Sequence, residues 1–198
     1  LLSRGLGDVY KRQGANLLAF AFFRTGRLLR HADFAPVMPQ FRKGFRLFVT
    51  ADRAYRNGAN ILILSDRGVD ENHVAIPSLL AVSALQQYLV RTKKSTSLSV
   101  IVETAEPREV HHFATLLGYG ASAVNPYLAQ ECIAELVEKR LLDKEVSVAI
   151  DSYNKAVVKG IVKIASKMGI STIQSYQSAQ IFEAIGIKQE VIDEYFTN

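Results

Sequence analysis

A chain of 198 residues, 48% of them apolar and 22% charged, is long enough to bury the core of one domain. Its best apolar run, Leu17–Phe23, falls short of the ~18 to 20 residues that a bilayer-spanning helix needs, so no transmembrane segment is predicted. The lone cysteine, Cys132, excludes an internal disulfide and any multi-cysteine metal or iron–sulfur site within the chain, and fits a reducing, cytoplasmic setting.

The formal charge of +5 is unevenly spread. Residues 1–60 carry eleven Lys and Arg against three Asp and Glu, whereas the other 138 residues carry thirteen against sixteen. A basic segment of this kind is the footprint of nucleic-acid or anionic-surface contact. It lacks a recognition motif and regularly interleaved aromatics, so neither a nucleic-acid nor a membrane partner is expected. Lys11 and Arg12 ahead of the apolar run imitate a secretory leader, but no small-residue cleavage site follows.

In chain order, residues 1–45 follow no period for long and are punctuated by Gly5, Gly7, Gly14, Gly26, Pro36, Pro39 and Gly44. They read as an anomalous, loop-rich extension, and Leu1–Gln13 has the look of translated adaptor or out-of-frame sequence. From Arg46 the local signals agree with each other. A helix is predicted over Arg46–Arg56, with Leu47, Ala51 and Ala54 at helical spacing and Gly58 beyond its end. Ile61–Leu64 is a short apolar run of the kind expected for a strand covered on both faces, and Ser65–Gly68 makes the turn. Pro77 opens the next helix, on which Leu79, Val82, Leu85 and Leu89 share a face.

The pattern repeats. Ser99–Val102 predicts a second strand; Pro107 starts a helix with Val110, Phe113, Ala114 and Leu117 in one stripe; Gly118 and Gly120 close it. A third strand is predicted over Ala121–Val124, then Asn125 as N-cap before Pro126, and an apolar stripe of Ala129, Cys132, Ile133, Leu136 and Val137. Val157, Ile161, Ile164 and Met168 mark a longer helix ending at Gly169, followed by a brief strand at Ser171–Ile173 and helices around Ala179–Ile185 and Gln189–Tyr195.

Strands separated by helical crossovers of this length pair in parallel. The fold class is therefore α/β, with parallel β-α units forming a partial (β/α) barrel-like layer over residues 46–198 and a poorly structured N-terminal segment before it. In such a layer, ligand-facing groups lie where strands end, which singles out Asp66, Arg67, Glu103 and Asn125. Asp66 and Glu103 could converge as an acid/base pair or on a divalent cation. They could equally cap the following turns or pair with Arg67 and Arg108.

Other candidates are weaker. His111 and His112 diverge by about 100° on a helix, whereas a helical chelate wants i and i+3 or i+4, so the two are placed beside the apolar face, with one ring hydrogen-bonded near the neighbouring helix. Cys132 lies in its helix's apolar stripe and is expected in the core. A triad of Ser65, His73 and Asp70 lacks a nucleophile-elbow pattern. Gly118-Tyr119-Gly120 leads from helix to strand, the wrong order for a phosphate cradle.

Four phrases in the chain are more specific than any of these motifs: ILILSDRG (Ile61–Gly68), IPSLLAV (Ile76–Val82), REVHHFATLLGYGASAVNPYLA (Arg108–Ala129) and KIASKMGISTIQSYQSAQIFEAIGI (Lys163–Ile187). In wording and order they resemble the central domain of glutamate synthase large subunits, over about Arg46–Phe196. The resemblance implies a fragment of a large oxidoreductase of ammonia assimilation, with a glutaminase domain, this central domain, a barrel carrying FMN and an iron–sulfur cluster, and a β-helix in series. Such a parent takes the amide nitrogen of glutamine as ammonia, passes it internally to 2-oxoglutarate and reduces the imine with electrons from FMN, supplied by an electron-donor subunit or ferredoxin.

The central domain's implied part is to hold the glutaminase and FMN domains apart and help to enclose the ammonia passage. No cofactor is expected in the fragment, and no catalytic, cofactor-binding or metal-binding residue of the family carries over. The glutaminase cysteine and the cysteine cluster are missing, and QSYQSAQ stands where the family has arginine and glycine after the tyrosine. The alternative reading is a free-standing α/β-barrel-like, metal-dependent enzyme using Asp66 and Glu103.

Overall fold

The computed structural model describes residues 32–33, 44–67, 71, 74–177 and 179–196. Four strands, β1 (Ala32–Asp33), β2 (Ile61–Ser65), β3 (Ser99–Glu103) and β4 (Ala123–Asn125), form one sheet in the order β1-β2-β3-β4. All its pairings are parallel, with Ile61 opposite Ser99, Leu64 opposite Val102 and Ile101 opposite Ala123. The helices are α1 (Gly44–Arg56), α2 (Ser78–Arg91), α3 (Val110–Gly118), α4 (Tyr127–Glu138), α5 (Val146–Lys167), the single turn α6 (Ile173–Tyr176) and α7 (Gln189–Tyr195).

The side-chain period of a strand divides this sheet into two unlike faces. Leu62, Leu64, Val100 and Val102 point to one face and are each at most 5% exposed. There they meet Ala51 of α1, Ala81, Val82, Leu85 and Leu89 of α2, and Leu116 of α3. Burial of a Leu or Val side chain contributes about 1.5 to 3 kcal/mol, so this face holds the strands in place. The opposite face carries Ile61, which is 42% exposed, and the half-buried Ile63, Ile101 and Ala123. The expected covering of both faces of β2 is therefore not met: among the described residues the principal helical core lies on one face. That is the arrangement of a (β/α) barrel opened out, in which helices ring the outside and the other face looks inward.

Local chemistry sets the helix ends. Gly58, at φ +82°, closes α1 through the Ala59 N–H, which donates to the Ala54 carbonyl at 3.0 Å. Gly169, at φ +70°, ends α5 in the same way, with Ile170 N–H donating to Ala165 at 2.9 Å. A second cluster joins α3 to α5 through Ala114, Leu117, Ala165 and the fully buried Tyr176, with Ile161 and Ile164 alongside.

Several expectations are corrected. The third strand begins at Ala123, not Ala121, and runs through Asn125, so Asn125 is a strand residue and Pro126 takes the N-cap position of α4. The helix after Pro107 starts three residues late because Glu109, its N-cap, is extended. Ser171–Ile173 is not a strand: the Thr172 hydroxyl accepts from the Ser175 N–H and starts α6. Residues 179–185 form no helix, Gln180 standing at φ +52°. Cys132 is exposed rather than buried. The packed face of α4 is rotated towards Gln130, Ile133, Ala134 and Val137, which leaves Leu128, Cys132 and Leu136 on the open flank.

Candidate functional site: the strand tips

Of the four strand-end residues singled out by position, Arg67, Glu103 and Asn125 come together, while the Asp66 side chain faces a separate set of partners. Ser65, Glu103 and Asn125 lie on the inward-looking face at successive strand ends, and Asp66 and Arg67 follow directly. Glu103 is the hub: its Oε2 accepts from the Ser65 hydroxyl at 2.7 Å, and its Oε1 accepts from Arg67 Nε at 2.9 Å and Asn125 Nδ2 at 3.3 Å. Arg67 also reaches Glu131 Oε1 at 3.4 Å, and its guanidinium lies 3.9 Å from the centre of the Tyr127 ring. The Glu103 hydrogen bond, followed by its charge, holds the Arg67 guanidinium still more firmly protonated, against the opposing effect of burial.

Asp66 is 7% exposed and turns the other way. Its Oδ2 accepts from the Thr104 hydroxyl at 2.6 Å and the Ala105 N–H at 3.0 Å. The Tyr127 hydroxyl hydrogen-bonds it as well. Burial first, and then this bond to a carboxylate, push the Tyr127 phenol up to about 12. Each carboxylate thus ties one β-α unit to the next: Asp66 holds the β3 turn and the start of α4, and Glu103 holds the β2 turn and the end of β4.

A third carboxylate completes the seal. Glu106, on the loop after β3, accepts from both the backbone N–H and the hydroxyl of Ser78 at the start of α2. A helix N-terminus that follows a parallel strand is where α/β folds bind anionic ligands. Here a carboxylate from the chain itself occupies that position.

Each of these carboxylates is engaged by partners from its own chain. A general base needs a lone pair aimed at substrate, and a cation site needs several oxygens aimed at one point; the oxygens of Asp66 and Glu103 are aimed at Thr104, Ala105, Ser65, Arg67 and Asn125. Of the two possibilities for the pair, the turn-capping and Arg67-pairing one is observed, while Arg108 instead offers its carbonyl to Tyr153. Among the described residues no group of three or more His, Cys, Asp or Glu could hold a metal ion.

The remaining candidates separate. Gly118 and Gly120 are packing positions: a Cβ on Gly118 would stand 2.5 Å from the Phe182 ring, and one on Gly120 2.7 Å from Gln86 Cγ. His111 is exposed, and His112 turns its ring back onto the N-terminus of α3, its own helix, not towards the neighbouring one. His73 and Asp70 of the Ser65 triad lie outside the described residues. Sequence reasoning missed Glu106, Thr104 and Tyr127, because their partners stand far away in the chain; the signal was the run of Thr, Ala and Glu after β3, a turn able to cap in trans.

Comparison with known proteins adds three findings. The family model described as "Glutamate synthase central domain" matches residues 40–188. The large chain of the NADPH glutamate synthase of Bacillus subtilis is 51% identical over 151 residues, covering 76% of this chain and 10% of that protein. Ferredoxin-dependent glutamate synthase 2 of Synechocystis is 43% identical over 164 residues, again 76% of this chain and 10% of the relative. The chain therefore spans about a tenth of the length of these curated relatives. Among solved structures, an L230A mutant of flavocytochrome b2 with benzoylformate superposes at a TM-score of 0.51 and 13% identity, covering 76% of this chain and 38% of that one. That likeness concerns the fold alone, a parallel α/β layer matching part of a larger chain.

Proposed function

The chain belongs to the glutamate synthase central domain family, and from that premise we propose that it serves as a linking element of a glutamate synthase. It holds the glutaminase and FMN-binding domains at a fixed separation and helps to wall the passage along which ammonia moves between them. The parent makes glutamate from glutamine-derived ammonia and 2-oxoglutarate, with FMN and an iron–sulfur cluster housed in its other domains. An electron-donor subunit or ferredoxin supplies the electrons, and the cytoplasm is the compartment this reading implies. Among the described residues no helix is long and apolar enough to cross a membrane.

The observation that carries the proposal is the self-closure of the strand tips. Where a barrel enzyme presents open polar groups to a ligand, Glu103 bridges Ser65, Arg67 and Asn125, Asp66 grips the next turn, and Glu106 fills the α2 N-terminus. Ties that run across three successive β-α units resist relative movement of those units, which is what a spacer requires and what a ligand site would have to break. The competing metal-dependent use of Asp66 and Glu103 is not favoured by this geometry.

The test is direct. Purified chain, supplied with FMN, 2-oxoglutarate, glutamine and reductant, is expected to retain no flavin through gel filtration and to form no glutamate. Stoichiometric flavin, or turnover lost on Asp66→Asn, would overturn the reading.

A further inference from the structure

We propose that His112 makes the start of α3, and the seam it forms with α5, responsive to acidity: an uncharged ring closes the helix and a charged ring opens it. This inference is independent of the linking role.

A helix N-terminus leaves backbone N–H groups without intrahelical partners. In the usual capping box the third helical residue is Glu or Gln, and its side chain accepts from the N-cap N–H. In α3 the N-cap is Glu109 and the third residue is His112. Its ring Nδ1 accepts from the Arg108 N–H at 3.1 Å and the Glu109 N–H at 3.4 Å. A ring nitrogen can accept only while it carries no proton. The neutral ring must therefore hold its hydrogen on Nε2, which lies 3.6 Å from Glu109 Oε1.

Adding a second proton turns Nδ1 into a donor facing two donors, so the ring has to swing away and both N–H groups lose their partner. The Glu109 carboxylate stands beside the ring, the Arg108 and Glu109 N–H groups point at it, and Arg108 is its neighbour on the turn. His111 is adjacent and exposed. From α5, the Tyr153 hydroxyl faces this turn and donates to the Arg108 carbonyl at 3.0 Å, and burial raises its pKa so that it stays neutral.

That last bond carries the change to the seam. The turn meets α5 through Tyr153, the Tyr153 ring meets Phe113 edge-on at 6.4 Å, and Val110 sits so close to Gly160 that a Cβ there would stand 2.5 Å from it. Freeing residues 108 and 109 loosens the outer end of this contact. Histidine is the side chain whose charge ordinarily changes between about pH 5 and 8, so the device works within the range a cell can reach.

The experiment uses the full chain labelled with 15N. At about pH 8 the ring nitrogen shifts of His112 are expected to report the Nε2–H tautomer; the Nδ1–H tautomer would overturn the proposal. Between about pH 8 and 5, opening of the Arg108 and Glu109 amides, read by hydrogen exchange corrected for intrinsic rate, should rise about fivefold, the factor lost with an ordinary cap. His112→Gln keeps an acceptor that does not titrate in this range and should remove the rise. An equal rise in His112→Gln, or none in the wild-type chain, contradicts the proposal.

Discussion

Gly58 and Gly120 both hold positive φ, at +82° and +110°, yet they differ in surroundings. Nothing lies within 4 Å of a Cβ placed on Gly58, while one on Gly120 meets Gln86 at 2.7 Å. Gly58→Ala should therefore cost about 1 kcal/mol, the left-handed penalty alone, and Gly120→Ala a further 1 to 3 kcal/mol for overpacking; urea unfolding of the two variants gives the difference. Asp52 offers a pH test at the same scale. The hydrogen bond from Lys94, chiefly, and that from Tyr88 hold its carboxyl below the ordinary carboxylate value despite an opposing burial effect. A depressed folded pKa means stability that is present above the unfolded value and lost as pH falls through the folded one. Unfolding midpoints measured from about pH 6 downwards should show this loss, and Asp52→Asn should flatten it.

Among elements, the sequence was most legible where a local signal and the tertiary demand coincided. Ile61–Leu64, following Gly58, was legible as a parallel strand, though it is buried on one face only, and α2 follows its apolar period closely, with Val82, Leu85 and Leu89 all fully buried. The strand tips were legible as a place and not as a structure, because position along a strand says where Asp66 and Glu103 sit but not which distant donor reaches them. Periodicity also failed on α4: it marks an apolar stripe without fixing which flank meets α5, and so it misplaced Cys132. At Thr172 a hydroxyl cap outweighed the β-branched character of Thr172 and Ile173. The latches between elements make two predictions. Tyr127 has a folded pKa raised to about 12, so its contribution to stability is full below its unfolded value and is lost as pH rises from about 10 to 12; alkaline unfolding followed by circular dichroism should lose that component in Tyr127→Phe. Glu106→Ala removes the cap on α2 and should destabilise the chain by about 1 kcal/mol, read as a lower urea midpoint with an unchanged slope.

For the whole molecule, apolar side chains stand exposed among the described residues: Ile185 is 87% exposed, Leu141 72%, Val74 62% and Val148 50%, with Ile61 at 42% on the open sheet face. Surface of that kind seeks partners, and sedimentation equilibrium should show an apparent mass that climbs with concentration; a monodisperse monomer at high concentration would count against it. The central claim is that the strand-tip carboxylates maintain geometry and do no chemistry. Replacing the matching segment of the Bacillus subtilis large chain with residues 40–188, and measuring kcat for glutamine-dependent glutamate formation per folded enzyme, tests this most directly. Glu103→Gln and Asp66→Asn in that chimera should lower stability while leaving kcat within about threefold of the parent chimera. A loss of a hundredfold or more at undiminished stability, the size expected when a proton-transferring group is removed, would contradict the account.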